Sequence, residues 1–389
     1  MRILYIADGR SPTARNWITH FIKPENQVHL ISTSDCTAIP GLASLHVLPV
    51  AFSSTGISKT QEPNRLGTLR RLAPIFVRTF IRQWLGPLTF PKTIRRLRDL
   101  IDQIQPDMVH AMRYPFEGIV AALANPKAPL IVSVWGNDFT LHAKANPLIG
   151  YLTRRALKKT DALHADCQRD LRLAHQLGFP ASRPAVVLPG SGGVRTEVFS
   201  PPAQPRPISP PVIINPRGFR TYIRNDVFFR AIPQVLHKYP EARFLCPAMD
   251  HEIQAHKWVE HYHLENNVEL LSLVPHGQMA DLFRQSHIVV SPSTHDGTPN
   301  TLLEAMACGC FPVAGDIESI NEWLTNEENS LLVDPSDPQM LAQAILQAIE
   351  DHALRQRAET INAQLIAERA NFRTVMTQAE QFYSEAAGV

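Results

Sequence analysis

No apolar run in the 389-residue chain approaches the ~20 residues that a membrane-spanning helix needs, so no such span is expected. The first residues, "MRILYIADG", lack a charged segment followed by an apolar core. They read as one short strand that turns at Asp8 and Gly9, and export is not expected. Cysteine is scarce. Cys36, Cys167, Cys246, Cys308 and Cys310 are odd in number, scattered and mostly set in apolar surroundings, which fits reduced thiols in a cytosol. Cys308 and Cys310 have no second ligand pair near them and read as small buried residues. The sixteen histidines show no HExxH or other metal-ligand spacing, and His261 and His263 read as surface residues. No Ser/His/Asp order, thiol motif or short solenoid repeat stands out. A net charge of +2 makes no general case for a nucleic-acid partner. What remains is a cytoplasmic globular chain long enough for two domains.

Along the first half, β-rich runs alternate with helical patterns: "RILYIA", "QVHLIS", "LHVLPV", "MVHAM", "LIVSVWG", "ALHA" and "AVVLPG". That alternation predicts βαβ units and a parallel sheet covered on both faces. Residues 200–211, "SPPAQPRPISPP", then place six prolines in twelve positions, which makes a stiff extended linker. Beyond it the pattern restarts with "VIINP", a helix around 225–239, "RFLCPA", "VELLSL", a short helix near 278–285, "IVVSPS" and "FPVAG". From about 337 to 387 the pattern is helical and proline-free after Pro338. The expected fold is α/β, with two Rossmann-like, doubly wound parallel-sheet domains whose carboxyl ends face a central cleft.

The densest stretch is "HDGTPNTLLEAMACGC", residues 295–310. It joins the strand "HIVVSPS" to a helix closed by Gly309. A turn between a strand's carboxyl end and a helix's amino end suits an anion, because the first helical amides are unpaired and the dipole favours negative charge. Thr301 to Glu304 also fits a capping box, in which the glutamate serves an end amide and nothing else.

An acid, seven intervening residues and a glutamate, followed by "AMACGCFPVAGD" and "NSLLVDPSDPQMLAQAI", resemble the sugar-nucleotide-binding region of family 4 (group 1) retaining glycosyltransferases with the GT-B fold. The resemblance runs over about residues 210 to 350. "INPRGFRTYIRND", 214–226, occupies the place of that family's Arg…Lys diphosphate clamp, with Arg217 matching the arginine and Arg224 standing where lysine is usual. Arginine also offers fixed charge and bidentate donors to phosphate. Arg220 reads as solvated. The resemblance implies that Glu304 holds the ribose hydroxyls and that Asp296, shorter than the usual glutamate, contacts the transferred sugar. It implies too that Thr298, Asn300 and Thr301 face the diphosphate and sugar. "GSGGVRTEVFSP" looks like the family's hinge segment.

The resemblance further implies an acceptor-binding domain over 1–190, a linker over 191–211, a nucleotide-sugar-binding domain over 212–365 and a helix over 366–389 crossing back to the first domain. On the acceptor side "ADGRSPTARNW" makes Asp8, Gly9 and Arg15 candidates. "VSVWGNDFT" carries Trp135 where the family often has histidine, so Trp135 is either a stacking platform or a structural tryptophan. Asn137 and Asp138 follow it at a strand end. Residues 65–98 hold nine arginines and lysines and no acid, interleaved with Phe76, Phe80, Ile81, Trp84 and Leu85. Such a segment suits either peripheral contact with anionic lipid at the inner face of a membrane, or a solvated domain face with its aromatics in the core.

The implied activity is metal-independent, retaining transfer of a sugar from a nucleoside-diphosphate sugar to a glycan, lipid-linked or small-molecule acceptor, as in cell-envelope or glycan biosynthesis. No cofactor beyond the donor, no nucleic acid and no metal are expected, and Arg217, Arg224 and Asp296 carry the catalytic roles. A phosphorylase-like enzyme would need a lysine-bound cofactor and a longer chain. A non-catalytic sugar-nucleotide-binding or scaffold protein on the same fold is the alternative.

Overall fold

The computed structural model describes residues 1–51, 84–207, 209–220 and 222–388. Two compact units divide the chain: Met1–Gly192 with Met376–Val389, and Gly193–Val375.

In the first unit the strands are β1 (Arg2–Ala7), β2 (Gln27–Ser32), β3 (Ser44–Val47), β4 (Met108–Met112), β5 (Leu130–Val134), β6 (Ala162–Ala165) and β7 (Ala185–Val187). They form one parallel sheet in the order β3-β2-β1-β4-β5-β6-β7. All seven β-rich runs of the first half are strands. The inner strands β1, β4, β5 and β6 are buried along almost their whole length instead of on alternate positions, because the sheet is covered on both faces. Leu4 and Ile6 join Val109, Leu97 and Ile119 in one core. Tyr5 points the other way, against Phe21 and His110.

That second face carries a buried polar chain. The Tyr383 hydroxyl, from the helix Phe372–Ala387, accepts from Trp17 Nε1 at 2.8 Å and meets His110 Nδ1 at 2.5 Å. His110 continues to Ser133, Ser133 to His164, and His164 to the Leu188 carbonyl. Each buried polar atom in this chain thereby finds a partner, as interiors require. Burial lowers the pKa of both imidazoles, that of His164 to about 4.

The second unit holds β8 (Val212–Ile214), β9 (Arg243–Cys246), β10 (Val268–Leu270), β11 (Ile288–Ser291), β12 (Phe311–Gly315) and β13 (Leu331–Val333), parallel in the order β10-β9-β8-β11-β12-β13. Five of these follow the expected runs. The sixth, β13, with the sequence "LLV", lies within "NSLLVDPSDPQMLAQAI" and is not among the expected runs. The helices Asn225–Lys238 and His276–Gln285 lie where the pattern put them. The helical tail comprises Pro338–Glu350, His352–Leu365 and Phe372–Ala387, with a π-turn at Ile366–Ala370. Cys308 and Cys310 are buried.

The chain order steps from β8 and β9 on one side to β11 and β12 on the other, so β8 and β11 flank the point where the winding reverses. Ligands of open α/β sheets bind at the carboxyl ends of such strands. Among the described residues no helix is long and apolar enough to cross a membrane.

Candidate functional site

Two loops leave the carboxyl ends of β8 and β11 and are stitched together. Thr294 N donates to the Tyr222 carbonyl at 2.9 Å, Ile223 bridges Ser293, and Arg224 N donates to the Pro292 carbonyl. Asn215 and Asn225 brace the first loop from within, since Asn215 Nδ2 donates to Asn225 Oδ1 and Asn225 Nδ2 to the Gly218 carbonyl, both at 2.9 Å. Gly218 has φ +63°, which lets the chain turn back at that point.

This stitching brings Arg217 against Asp296. Both guanidinium NH groups face the carboxylate, and the two side chains are 12% and 11% exposed. Asp296 is pinned as well: Gly297 N donates to its Oδ1 at 3.1 Å, and Ser319 Oγ donates to its carbonyl at 2.8 Å. Arg224 is turned elsewhere. It forks onto Asp226 with two bonds of 2.9 Å and donates to Ser336 Oγ at 3.0 Å. Asp226 also receives Arg230, so the second arginine of the expected clamp sits in a half-exposed cluster of its own.

The helix after the turn runs Asn300–Ala307, with Pro299 as N-cap and no side-chain capping bond. The capping-box alternative for Thr301 and Glu304 therefore does not hold. Glu304 does not reach back to the helix end; its Oε1 meets His276 Nε2 at 2.7 Å. A proline at the cap position offers no side-chain oxygen, and the glutamate, one turn into the helix, faces the start of the helix His276–Gln285 instead. This bond raises the His276 pKa above the usual imidazole range. Thr298 is buried ahead of the helix, and Asn300 and Thr301 form its half-buried first turn.

In the first unit the predicted residues lie beyond β1 and β5. Gly9 is fitted tightly, for a Cβ there would collide with the Cys36 sulfur. Arg15 serves the backbone, donating to the Gly9 and Thr37 carbonyls at 3.0 and 2.8 Å. Asp8 pairs with Arg10. Asp8 and Trp135 line a cavity of about 160 Å³ with Arg113, Glu117 and His142. The Arg113 guanidinium stands 5.9 Å from the centre of the Trp135 ring. Asp138 is fully buried. It accepts from Arg113 Nε at 2.9 Å and from the amides of Tyr114 and Trp135, each at 3.1 Å. Burial outweighs the pull of Arg113 and pushes this carboxyl up to about 7. Asn137 stands just before it, and its carbonyl receives Leu141 N and His142 N.

Residues 211–351 match the family Glycosyl transferases group 1, and residues 41–190 match the Glycosyl transferase 4-like domain. The chain belongs to the group 1 glycosyltransferases. Among curated relatives of this glycosyltransferase, a phosphatidylinositol N-acetylglucosaminyltransferase subunit from Arabidopsis thaliana is 28% identical over 168 residues, 43% of this chain and 37% of the relative. D-inositol 3-phosphate glycosyltransferase of Corynebacterium diphtheriae is 23% identical over 222 residues, 52% of this chain and 51% of the relative. The chain thus spans about half or less of the length of these two curated relatives. The fold matches the crystal structure of Anabaena HepE in complex with UDP, with a TM-score of 0.70 and 16% identity over 99% of this chain and 100% of that one. Together with the two parallel sheets, this likeness identifies the GT-B fold.

Several residues at these strand ends escaped the sequence reading. Arg113 could have been found, as a lone charge directly after the apolar run "MVHAM". Glu117 and His142 carry no such mark, and His276 is signalled only by its place at the start of a helix. Residues 65–83 of the basic segment lie outside the described residues. In its described part Trp84, Leu85 and Leu88 are exposed, while Phe90 is buried.

Proposed function

We propose that this glycosyltransferase moves a sugar from a nucleoside-diphosphate sugar to a hydroxyl of an acceptor, with retention of configuration and without a metal or other cofactor. The observation that carries the reading is the joining of Arg217 to the turn that opens the helix Asn300–Ala307. A fixed guanidinium beside a helix amino end is suited to the charge that builds on a departing diphosphate. Arg224, on the same stitched loop, supplies a second guanidinium when it leaves Asp226. Glu304, on the helix, would accept the two ribose hydroxyls, and Asp296, Thr298, Asn300 and Thr301 would meet the sugar and diphosphate. The UDP bound in HepE supports a nucleoside diphosphate as the leaving group.

For the acceptor we propose the cavity beyond β1 and β5, where Asp8, Arg113, Glu117 and His142 offer hydrogen bonds and Trp135 offers a ring face. The curated relatives act in inositol-lipid and inositol-phosphate chemistry by name, which favours a glycan, lipid-linked or small polyol acceptor over nucleic acid. Exposed Trp84, Leu85 and Leu88 precede exposed Lys92, Arg95 and Arg96, a composition suited to anionic lipid. None of the five cysteines forms a disulfide, which fits a reducing compartment, and we place the reaction in the cytoplasm.

The test is a thermal-shift panel of UDP, GDP, ADP and TDP with their sugar conjugates, followed by product assays with the ligand selected. One nucleotide should raise the melting temperature of the wild type, and Glu304→Ala should abolish both shift and transfer while remaining folded. Transfer should persist in EDTA. Wild-type turnover by Glu304→Ala would refute the ribose role, and strict dependence on an added divalent ion would refute the metal-free mechanism.

A further inference from the structure

The proposed donor site carries an anion of its own. The fork of Arg217 that would receive a phosphate is filled by the Asp296 carboxylate, both side chains are largely withdrawn from solvent, Gly297 N donates to the carboxylate, and Ser319 holds the Asp296 backbone through its carbonyl. We propose that Asp296 is an exchangeable counter-ion: the donor's diphosphate displaces it from Arg217, and it reclaims the arginine once the sugar has gone, expelling the nucleoside diphosphate. This rests on the donor-site reading above.

Carboxylate and phosphate fit the same bidentate fork, so they compete for it directly. Opening the pair strands a carboxylate in a place only 9% exposed, and an uncompensated buried charge is costly. The donor can offset that cost because its sugar hydroxyls can donate to the released carboxylate. A nucleoside diphosphate without its sugar offers no such donors, so Asp296 returns to Arg217 and the product leaves. An aspartate suits this exchange. Its single methylene and its two anchors keep the carboxylate within reach of the arginine.

The role is one of positioning and release, and it separates from a purely structural role by affinity. Isothermal titration of the nucleoside diphosphate selected by the panel should show Asp296→Asn binding it about tenfold or more tightly than wild type. The preference for the sugar conjugate over the free nucleotide should shrink, and kcat should fall more than KM because product release slows. Asp296→Ser, smaller and also uncharged, should behave alike and serves if the asparagine variant does not fold. Asp296→Glu, which restores the charge, should return nucleotide affinity toward the wild-type value. Neutral variants that bind the nucleoside diphosphate no more tightly than wild type overturn the proposal. A wild type that binds none of the four nucleotides overturns the donor-site reading, and the proposal with it.

Discussion

Both units place an arginine after one strand and an aspartate after its parallel neighbour: Arg113 beyond β4 with Asp138 beyond β5, and Arg217 beyond β8 with Asp296 beyond β11. The surroundings separate the two pairs. Asp138 has no exposed surface and also binds two backbone amides, so its carboxylate knits the β4 and β5 loops together. Asp296 has one amide of its own and otherwise depends on Arg217. A carboxylate with several fixed donors is a structural knot, whereas one held chiefly by a single cation can exchange that cation for a ligand's groups. The same pairing of residue types therefore has two uses, set by the number of backbone donors.

The largest expected effect on stability tests the knot. Asp138→Ala removes the acceptor of two amides beside a half-exposed Arg113, so urea unfolding should show a loss of about 2–4 kcal/mol. Asp138→Asn keeps an acceptor oxygen and should cost less. Equal costs for Asp138→Ala and Asp296→Ala would erase the distinction drawn here. Next comes Arg217→Ala. If the second pair is the working one, this change should leave cooperative unfolding intact yet weaken nucleotide binding by about 2–5 kcal/mol, measured by titration calorimetry. Nucleotide binding unchanged in Arg217→Ala would instead make the second pair another knot.

The two pairs also differ in how far the sequence revealed them. Arg217 and Asp296 stand in two local stretches whose order and spacing follow a recognisable pattern, so they could be named before any coordinates. Asp138 could be placed at a strand end, but its partner Arg113 lies 25 positions earlier and the pair arises only from strand order. The sheets were legible because strands buried on both faces are mostly apolar, a signal present even in the four residues of "ALHA", where His164 is the one polar member. The capping-box alternative rests on a local tetrapeptide, and it fails because the competing partner, His276, comes from another helix and stands 28 residues away. The polar chain from Tyr383 to Leu188 has the same character, since its members are scattered over five segments and no periodicity links them.

The smallest effect concerns that competing partner. Glu304 raises the His276 pKa, while nearby Arg195 opposes protonation, and Phe199 packs its ring 5.0 Å from the imidazole. A raised folded-state pKa means that the pair contributes stability below the unfolded-state value and loses it as pH rises through the folded-state value. If the ribose must take Glu304 from His276, nucleotide-sugar affinity runs the opposite way. It should increase a few-fold as pH climbs through the imidazole titration, because a neutral histidine competes less strongly for the carboxylate than a charged one. A nucleotide sugar is the right probe, since its diphosphate carries no terminal phosphate that titrates in this range. His276→Gln should flatten the profile while keeping affinity near the high-pH value of the wild type. A profile equally steep in the variant would assign the dependence to another group and leave Glu304, like Asp138, as a structural acid.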